Sequence, residues 1–174
     1  MAASIVLIVL GGLPGTGKTT IARELTRQID AVHVRIDSIE QTLRGSWPAD
    51  RPLDDAGYRL AYAAAEENLR AGRSVIADSV NPLQITRDDW LAVARRAQSQ
   101  VLEVEVVCSD AGEHRRRIEG RVTDIPGLRL PTWEEVQARE YHRWVRSRLV
   151  IDTAALSAEE SAALIRQAIS EAAK

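Results

Sequence analysis

An unbroken apolar run, Ile5-Val6-Leu7-Ile8-Val9-Leu10, leads almost directly into Gly12-Leu13-Pro14-Gly15-Thr16-Gly17-Lys18-Thr19. No other stretch of the chain narrows its fold as far. A strand without polar interruption is buried on both faces, which calls for a sheet covered by helices on both sides. The octapeptide has the form G-x-x-x-x-G-K-T, a turn whose backbone N–H groups point inward; its glycines permit this because no Cβ clashes. Beyond it, Ile21, Leu25 and Ile29 fall on one face of a helix. Strand, glycine-rich turn and helix in this order make a phosphate cradle, with the positive end of the helix dipole behind it. Lys18 then reaches the β- and γ-phosphates, and the Thr19 hydroxyl is placed to ligate Mg²⁺. Gly12, Gly15, Thr16, Gly17, Lys18, Thr19 and Thr20 are the expected contacts of a nucleoside triphosphate such as ATP.

The remainder of the chain alternates short β-rich runs with longer helical patterns, as a parallel sheet with crossover helices requires. Strands are expected at Ile5–Leu10, Val32–Ile36, Ser74–Ala77, Leu102–Val107 and Leu149–Ile151. Helices are expected at Lys18–Ile29, Ser38–Leu43, Asp55–Arg70, Arg87–Ala97, Ala111–Glu119, Trp133–Arg146 and Ala158–Ala172. Gly72 is suited to close the third helix. Thr86 with Asp89, Thr132 with Glu135 and Ser157 with Glu160 have capping-box spacing. Glu103 and Glu105 alternate with Leu102, Val104 and Val106, so that strand should carry a polar face, reaching beyond the covering helices. Gly45–Leu53 and Gly120–Pro131 read as surface loops long enough to act as flaps.

A length of 174 residues suits one domain, 1–174, with one core. A formal net charge of −2 argues against a long nucleic acid as partner, since such sites show a basic excess. All but two of the 23 basic residues are Arg, and the only interior lysine is Lys18. The lone Cys108 gives no sign of an oxidising compartment, the N-terminal apolar run is too short to span a membrane, and the expected location is cytoplasmic. Oligomeric state is not legible.

Several residues outside the cradle have the chemistry of phosphoryl transfer. Asp37 follows the second strand, on the rim where open α/β sheets gather their ligands, and a carboxylate there can take a proton from an attacking hydroxyl; the alternative is a helix cap. Asp78 ends a short apolar strand, the pattern of a metal-binding carboxylate. Arg115, Arg116, Arg117 and Arg121 cluster where a lid, 115–131, would begin, and a lid can bring positive charge to the γ-phosphate. Arg117 and Arg121 are a helical turn apart. Asn81, Trp47 and Trp133 are candidates for the substrate pocket, while Trp90 and Trp144 read as core. His33, His114 and His142 have no metal-ligand spacing.

With these motifs in place, GLPGTGKTT, RIDS, GRSVIADSV, RRRIEGR and LVIDT, the chain resembles the small P-loop kinases related to zeta toxins and chloramphenicol phosphotransferase. The resemblance spans residues 5 to about 153. It implies an α/β three-layer P-loop NTPase sandwich with a five-stranded parallel sheet in the order 2-3-1-4-5 and helices on both faces. It implies transfer of the ATP γ-phosphate to a hydroxyl, with Asp37 as base, Lys18 and Thr19 at the phosphates, and Arg117 and Arg121 as lid arginines. Family members act on acceptors as different as nucleotide sugars and antibiotics, so the acceptor stays open between a sugar, a nucleotide sugar and an antibiotic-like molecule. A nucleoside or polynucleotide kinase, and a nucleotide-dependent switch, are the competing readings.

Overall fold

The apolar run becomes β1 (Val6–Gly11), the middle strand of a parallel sheet whose other members are β2 (Ala31–Arg35), β3 (Ser74–Asp78), β4 (Gln100–Val107) and β5 (Leu149–Asp152). The order is β2-β3-β1-β4-β5, as expected. The computed structural model describes residues 5–172; residues 1–4 and 173–174, which the single-domain expectation also takes in, lie outside the described residues.

Alternation along β1 sends Val6, Ile8 and Leu10 to one face, where they meet Ile21, Ala22 and Leu25 of α1 (Lys18–Gln28) and Ala162 and Ile165 of α7 (Ala158–Ala172). Leu7 and Val9 face the other way, onto Ala61, Ala65 and Leu69 of α3 (Ala56–Arg70) and Trp90, Val93 and Ala94 of α4 (Gln84–Ala97). Both faces of β1 are thus dry, which is why its sequence carries no polar residue. The remaining helices are α2 (Ile36–Arg44), α5 (Ala111–Glu119) and the short α6 (Trp133–Gln137). Among the described residues no helix is long and apolar enough to cross a membrane.

Capping chemistry sets several boundaries. Thr132 and Glu135 form a reciprocal capping box at α6. Ser157 and Glu160 do the same ahead of α7, with bonds of 2.8 and 3.2 Å. The pair Thr86 and Asp89 does not cap: α4 starts three residues earlier than expected, at Gln84, and the Thr86 hydroxyl donates to Leu83 O. Likewise α2 starts at Ile36 with no intervening turn, so Asp37 lies within the helix's first turn.

The largest departure follows Gln137. The periodicity predicts helix through Arg146, but residues 138–148 form an irregular strap across the open face of β4. Tertiary bonds take the place of the helical ladder. His142 N–H donates to Pro82 O at 2.7 Å, and His142 O accepts from Arg87 at 2.7 Å. Arg146 pairs with Glu103 (2.8 Å) and with Asp88, and Arg148 pairs with Glu105 (2.6 Å). The polar face of β4 therefore does not reach solvent; Glu103 and Glu105 are buried beneath the strap with two arginines as partners. Ion pairing in place of apolar burial is what the helical pattern did not reveal.

Arg87 anchors this strap. It is fully buried, donates to Asn81 O (2.9 Å), Pro82 O and His142 O, and lies 4.2 Å from the Trp144 ring centroid. Trp144, the expected core residue, packs in turn against Gly11 at the end of β1. Arg87→Ala leaves the carbonyls of Asn81 and His142 without their donor, takes one of two donors from Pro82 O, and opens a void beneath Trp144. We expect a loss of about 3 kcal/mol in unfolding free energy, read as a lower urea midpoint at constant slope. An unchanged midpoint would show that the strap holds without Arg87.

Candidate active site

Residues 12–17 turn sharply out of β1, and the glycines are where other chain segments press against the turn. Gly12 has φ +144°, and a Cβ there would lie 2.1 Å from Val106 O of β4. Gly15, at φ +81°, receives the Ile118 side chain of α5 at a distance of 2.5 Å from the Cβ it lacks. Neither position has room for a side chain. His114, also on α5 and buried, donates from Nε2 to Pro14 O at 2.8 Å. The Thr153 hydroxyl after β5 donates to Thr16 O at 2.7 Å. The loop is thus held by β4, α5 and the end of β5 together.

Lys18, Thr19 and Thr20 open α1 and line a cavity of about 1030 Å³ with Gly15, Gly17, Asp37, Asp78, Arg117 and Arg121. The volume lies at the top of the range for a single-ligand pocket, enough for a donor and an acceptor side by side. Lys18 Nζ donates to Leu13 O at 2.9 Å, across the mouth of the turn. Burial pulls the Lys18 ammonium down to about 8, against the opposing pull of Asp78 and Asp37. An ammonium desolvated to this degree gains from any anion placed beside it.

Asp78, buried at the end of β3, accepts from the Thr19 hydroxyl at 2.8 Å and from His33 Nε2 at 3.0 Å. Burial pushes its carboxyl up, but the His33 bond, the Lys18 charge and the Thr19 bond outweigh this and hold it below the ordinary value. With its proton engaged by Asp78, the Thr19 oxygen keeps lone pairs for a cation. The adjacent Ser79 Oγ is buried without a hydrogen-bond partner. Hard oxygen donors, one of them anionic, fit Mg²⁺, which takes few protein ligands and fills the rest with phosphate and water. Among the described residues no three His, Cys, Asp or Glu side chains converge as a metal-ligand group, here or elsewhere.

Opposite the phosphate turn stands α2. Asp37 is half-buried, lines the cavity, and among the described residues its carboxylate caps nothing and pairs with nothing. The cap reading is therefore not the one observed. Residues of α5 and of the loop after it close the third side. Arg117 is tethered to Glu113 (2.7 Å), to the Thr153 hydroxyl (2.8 Å) and to Thr153 O (2.9 Å), whereas Arg121 makes no ion pair among the described residues. The loop after α5 docks on the edge of the sheet through Asp124, which accepts from Arg35 at 2.9 and 3.0 Å and pairs with Arg23. That Arg35 bond, first among several, draws the Asp124 carboxyl down to about 2.

Three sequence candidates do not reach the cavity. Asn81 is fully buried, its amide spent on Leu10 O (2.8 Å) and Trp90 Nε1–H (2.9 Å). Its role is to join β1 to α4. Trp47 lies in the loop after α2 and donates to Pro52 O. Trp133 stands edge-on to His114, 5.2 Å between centroids, and so backs the residue that holds Pro14. Conversely, the structure adds His33, His114 and Arg139. His33 was legible only as a polar residue between Val32 and Val34. Arg139 lines the cavity and acts electrostatically on Lys18, and it was hidden in the expected helix.

A phosphate turn on β1, a metal-type carboxylate on β3 and a free carboxylate facing both define a P-loop nucleotide site. The chain belongs to the AAA domain family designated AAA_33, which matches residues 7–139. No curated protein matches it in sequence at a significant level. Among solved structures, a candidate kinase from Chloroflexus aurantiacus superposes with a TM-score of 0.74 at 21% identity over 98% of each chain. The Mycobacterium tuberculosis APS kinase CysC, in complex with AMPPNP and APS, gives 0.73 at 19% identity, covering 97% of this chain and 98% of its own. A gluconokinase from Sinorhizobium meliloti gives 0.59 at 18% identity, covering 99% and 93%. The fold is that of P-loop kinases.

Docking of the loop after α5 on the sheet edge generates a pH-dependent expectation. A depressed carboxyl contributes above its ordinary range near 4, and the contribution is lost as pH falls towards about 2. Asp124→Ala should remove it at every pH and accelerate tryptic cleavage at Arg121 and Arg129 at neutral pH. Equal cleavage rates in the two proteins would mean that the loop is held by other contacts.

Proposed function

We propose that the chain is a single kinase domain, with a lid at 115–131, that transfers the γ-phosphate of Mg²⁺-ATP to a hydroxyl of a small molecule. The observation that carries this reading is the unpartnered Asp37 carboxylate, which shares one cavity with Lys18, Thr19, Asp78 and Arg121. A protein that only held or slowly hydrolysed nucleotide has no use for a second walled region opposite the phosphate turn. The narrower resemblance to zeta toxins and chloramphenicol phosphotransferase supports the same role for Asp37. Sugars, nucleotide sugars and antibiotic-like molecules are the acceptor classes to test.

In this reading the backbone N–H groups of residues 12–17 and Lys18 hold the β- and γ-phosphates. Thr19 and Asp78 hold Mg²⁺, which neutralises charge on those phosphates when bound. Asp37 takes the acceptor's hydroxyl proton while the acceptor oxygen bonds to the γ-phosphorus and the bond from that phosphorus to the ADP oxygen breaks. Arg117 and Arg121 from the lid, with Arg139 from the strap, offset the charge on the moving phosphoryl group. His33 orients the Asp78 carboxylate.

Two substitutions test the assignment. Lys18→Ala should abolish acceptor-dependent ADP release. Asp37→Asn should lower kcat by about 10²-fold or more with the dissociation constant for Mg²⁺-AMPPNP little changed. Equal losses in turnover and nucleotide binding would put Asp37 in the metal site. Turnover that stays at the water background for every acceptor, in wild type as in Asp37→Asn, would sink the kinase reading.

A further inference from the structure

Along α2 the side chains lining the cavity are Asp37, Glu40, Gln41 and Arg44. Their spacing, i, i+3, i+4 and i+7, makes one continuous stripe on a helix. Asp37 is at the phosphate end and Arg44 at the outer end, seven residues away, or about 10 Å along the axis. The Glu40 stem packs on α3 so closely that a Cβ at Gly57 would lie 2.3 Å from Glu40 Cγ. Its carboxyl is raised by burial and by the neighbouring Asp37, while Arg44 and Arg139 pull it down. Both guanidiniums therefore flank Glu40, yet among the described residues neither forms an ion pair with it or with any other carboxylate. Gln41 spends its amide N–H on Pro126 O and keeps its oxygen as an acceptor.

The Arg44 and Arg139 guanidiniums, the Glu40 carboxylate and the Gln41 amide oxygen are thus unfilled hydrogen-bonding positions on the cavity walls. Arg44 alone would be accounted for as a cation at the end of its helix. That account does not explain Arg139 converging on the same region from the strap. Resting on the kinase reading of this cavity, we propose that the acceptor is an anionic polyol. Its reacting hydroxyl lies at Asp37, and neighbouring hydroxyls donate to Glu40 and Gln41. A phosphate, sulfate or carboxylate at the far end is held by Arg44, with Arg139 beside it. Guanidinium groups suit such anions because their donors form a planar fork. A cationic acceptor is opposed by Arg44 and Arg139 on the same walls.

The test uses the whole chain and matched acceptors: glucose, glucosamine, gluconate and glucose 6-phosphate, and adenosine with AMP. Acceptor-dependent ADP release is measured for wild type, Arg44→Gln and Arg44→Lys. In parallel, protein saturated with Mg²⁺-AMPPNP is melted with and without inorganic phosphate, so that the phosphate turn is already filled. The anionic member of at least one set should have a kcat/KM about tenfold or more above its neutral partner. Arg44→Gln should erase that ratio, Arg44→Lys should restore part of it, and phosphate should stabilise wild type but not Arg44→Gln. Neutral or amino acceptors turned over as well as anionic ones would overturn the inference and leave the kinase reading standing. So would a preference or a phosphate response unchanged in Arg44→Gln. Phosphate stabilisation that needs Arg44, with no ADP release from any acceptor, would keep the anion site and count against the kinase reading. Absence of both responses would count against both.

Discussion

Close contact between the backbone of residues 12–17 and three other parts of the chain is the constraint on which the rest of the structure depends. Val106 O of β4 stands against Gly12, Ile118 and His114 of α5 against Gly15 and Pro14, and Thr153 beyond β5 against Thr16 and Gly17. A turn that must keep its N–H groups pointed inward cannot be stabilised by those groups, because a ligand needs them. Its shape has to come from packing on its outer side. That requirement explains why α5 lies where it does, why a buried histidine donates to a carbonyl in the turn, and why Trp133 backs that histidine. It also ties the loop after α5 to the phosphate turn, since α5 is both the support of the turn and the root of that loop.

What was legible in the sequence follows from the same division. Apolar periodicity reports burial, so β1 and the helices facing it could be read from residue patterns, whereas the strand order came from the family resemblance alone. The phosphate turn could be read because its glycines answer a local steric demand. Asp37 and Asp78 were found by position at strand ends, although α2 begins two residues earlier than its pattern showed. Asn81, Trp47 and Trp133 were polar or aromatic residues near the right rim, and residue type alone does not tell a pocket wall from a core hydrogen bond. His33 and His114 act through single bonds to partners 45 and 100 residues away. No local pattern encodes such a pairing.

The strap over β4 shows a second kind of illegibility. Residues 138–146 carry a helical pattern, and the strand below carries two glutamates that an interior position does not ordinarily tolerate. Each anomaly answers the other: Arg146 and Arg148 cover Glu103 and Glu105, while Arg87 supplies the strap with donors in place of helical hydrogen bonds. Buried ion pairs of this sort add little net stability relative to an apolar isostere. What they do here is set position. The strap carries Arg139 into the cavity, and a continued helix from Trp133 to Arg146 would have directed the chain away from β4 and from the bonds to Pro82 and Arg87.

The two halves of the cavity are therefore built by different means. On the nucleotide side the groups that matter are backbone atoms and buried side chains, fixed by contacts that leave no freedom: Lys18, Thr19 and Asp78 each have a defined partner. On the opposite side the walls come from α2, the loop after α5 and the strap, and among the side chains facing inward Arg44 and Arg139 form no ion pair among the described residues. Substitution there costs the fold almost nothing, because no core contact depends on Arg44 or Arg139. Fold likeness at about 20% identity extends over nearly the whole chain and shows the fold, not the chemistry of these side chains. In the kinase reading proposed above, the choice of acceptor accordingly falls to a few exposed side chains on α2 and the strap rather than to the fold.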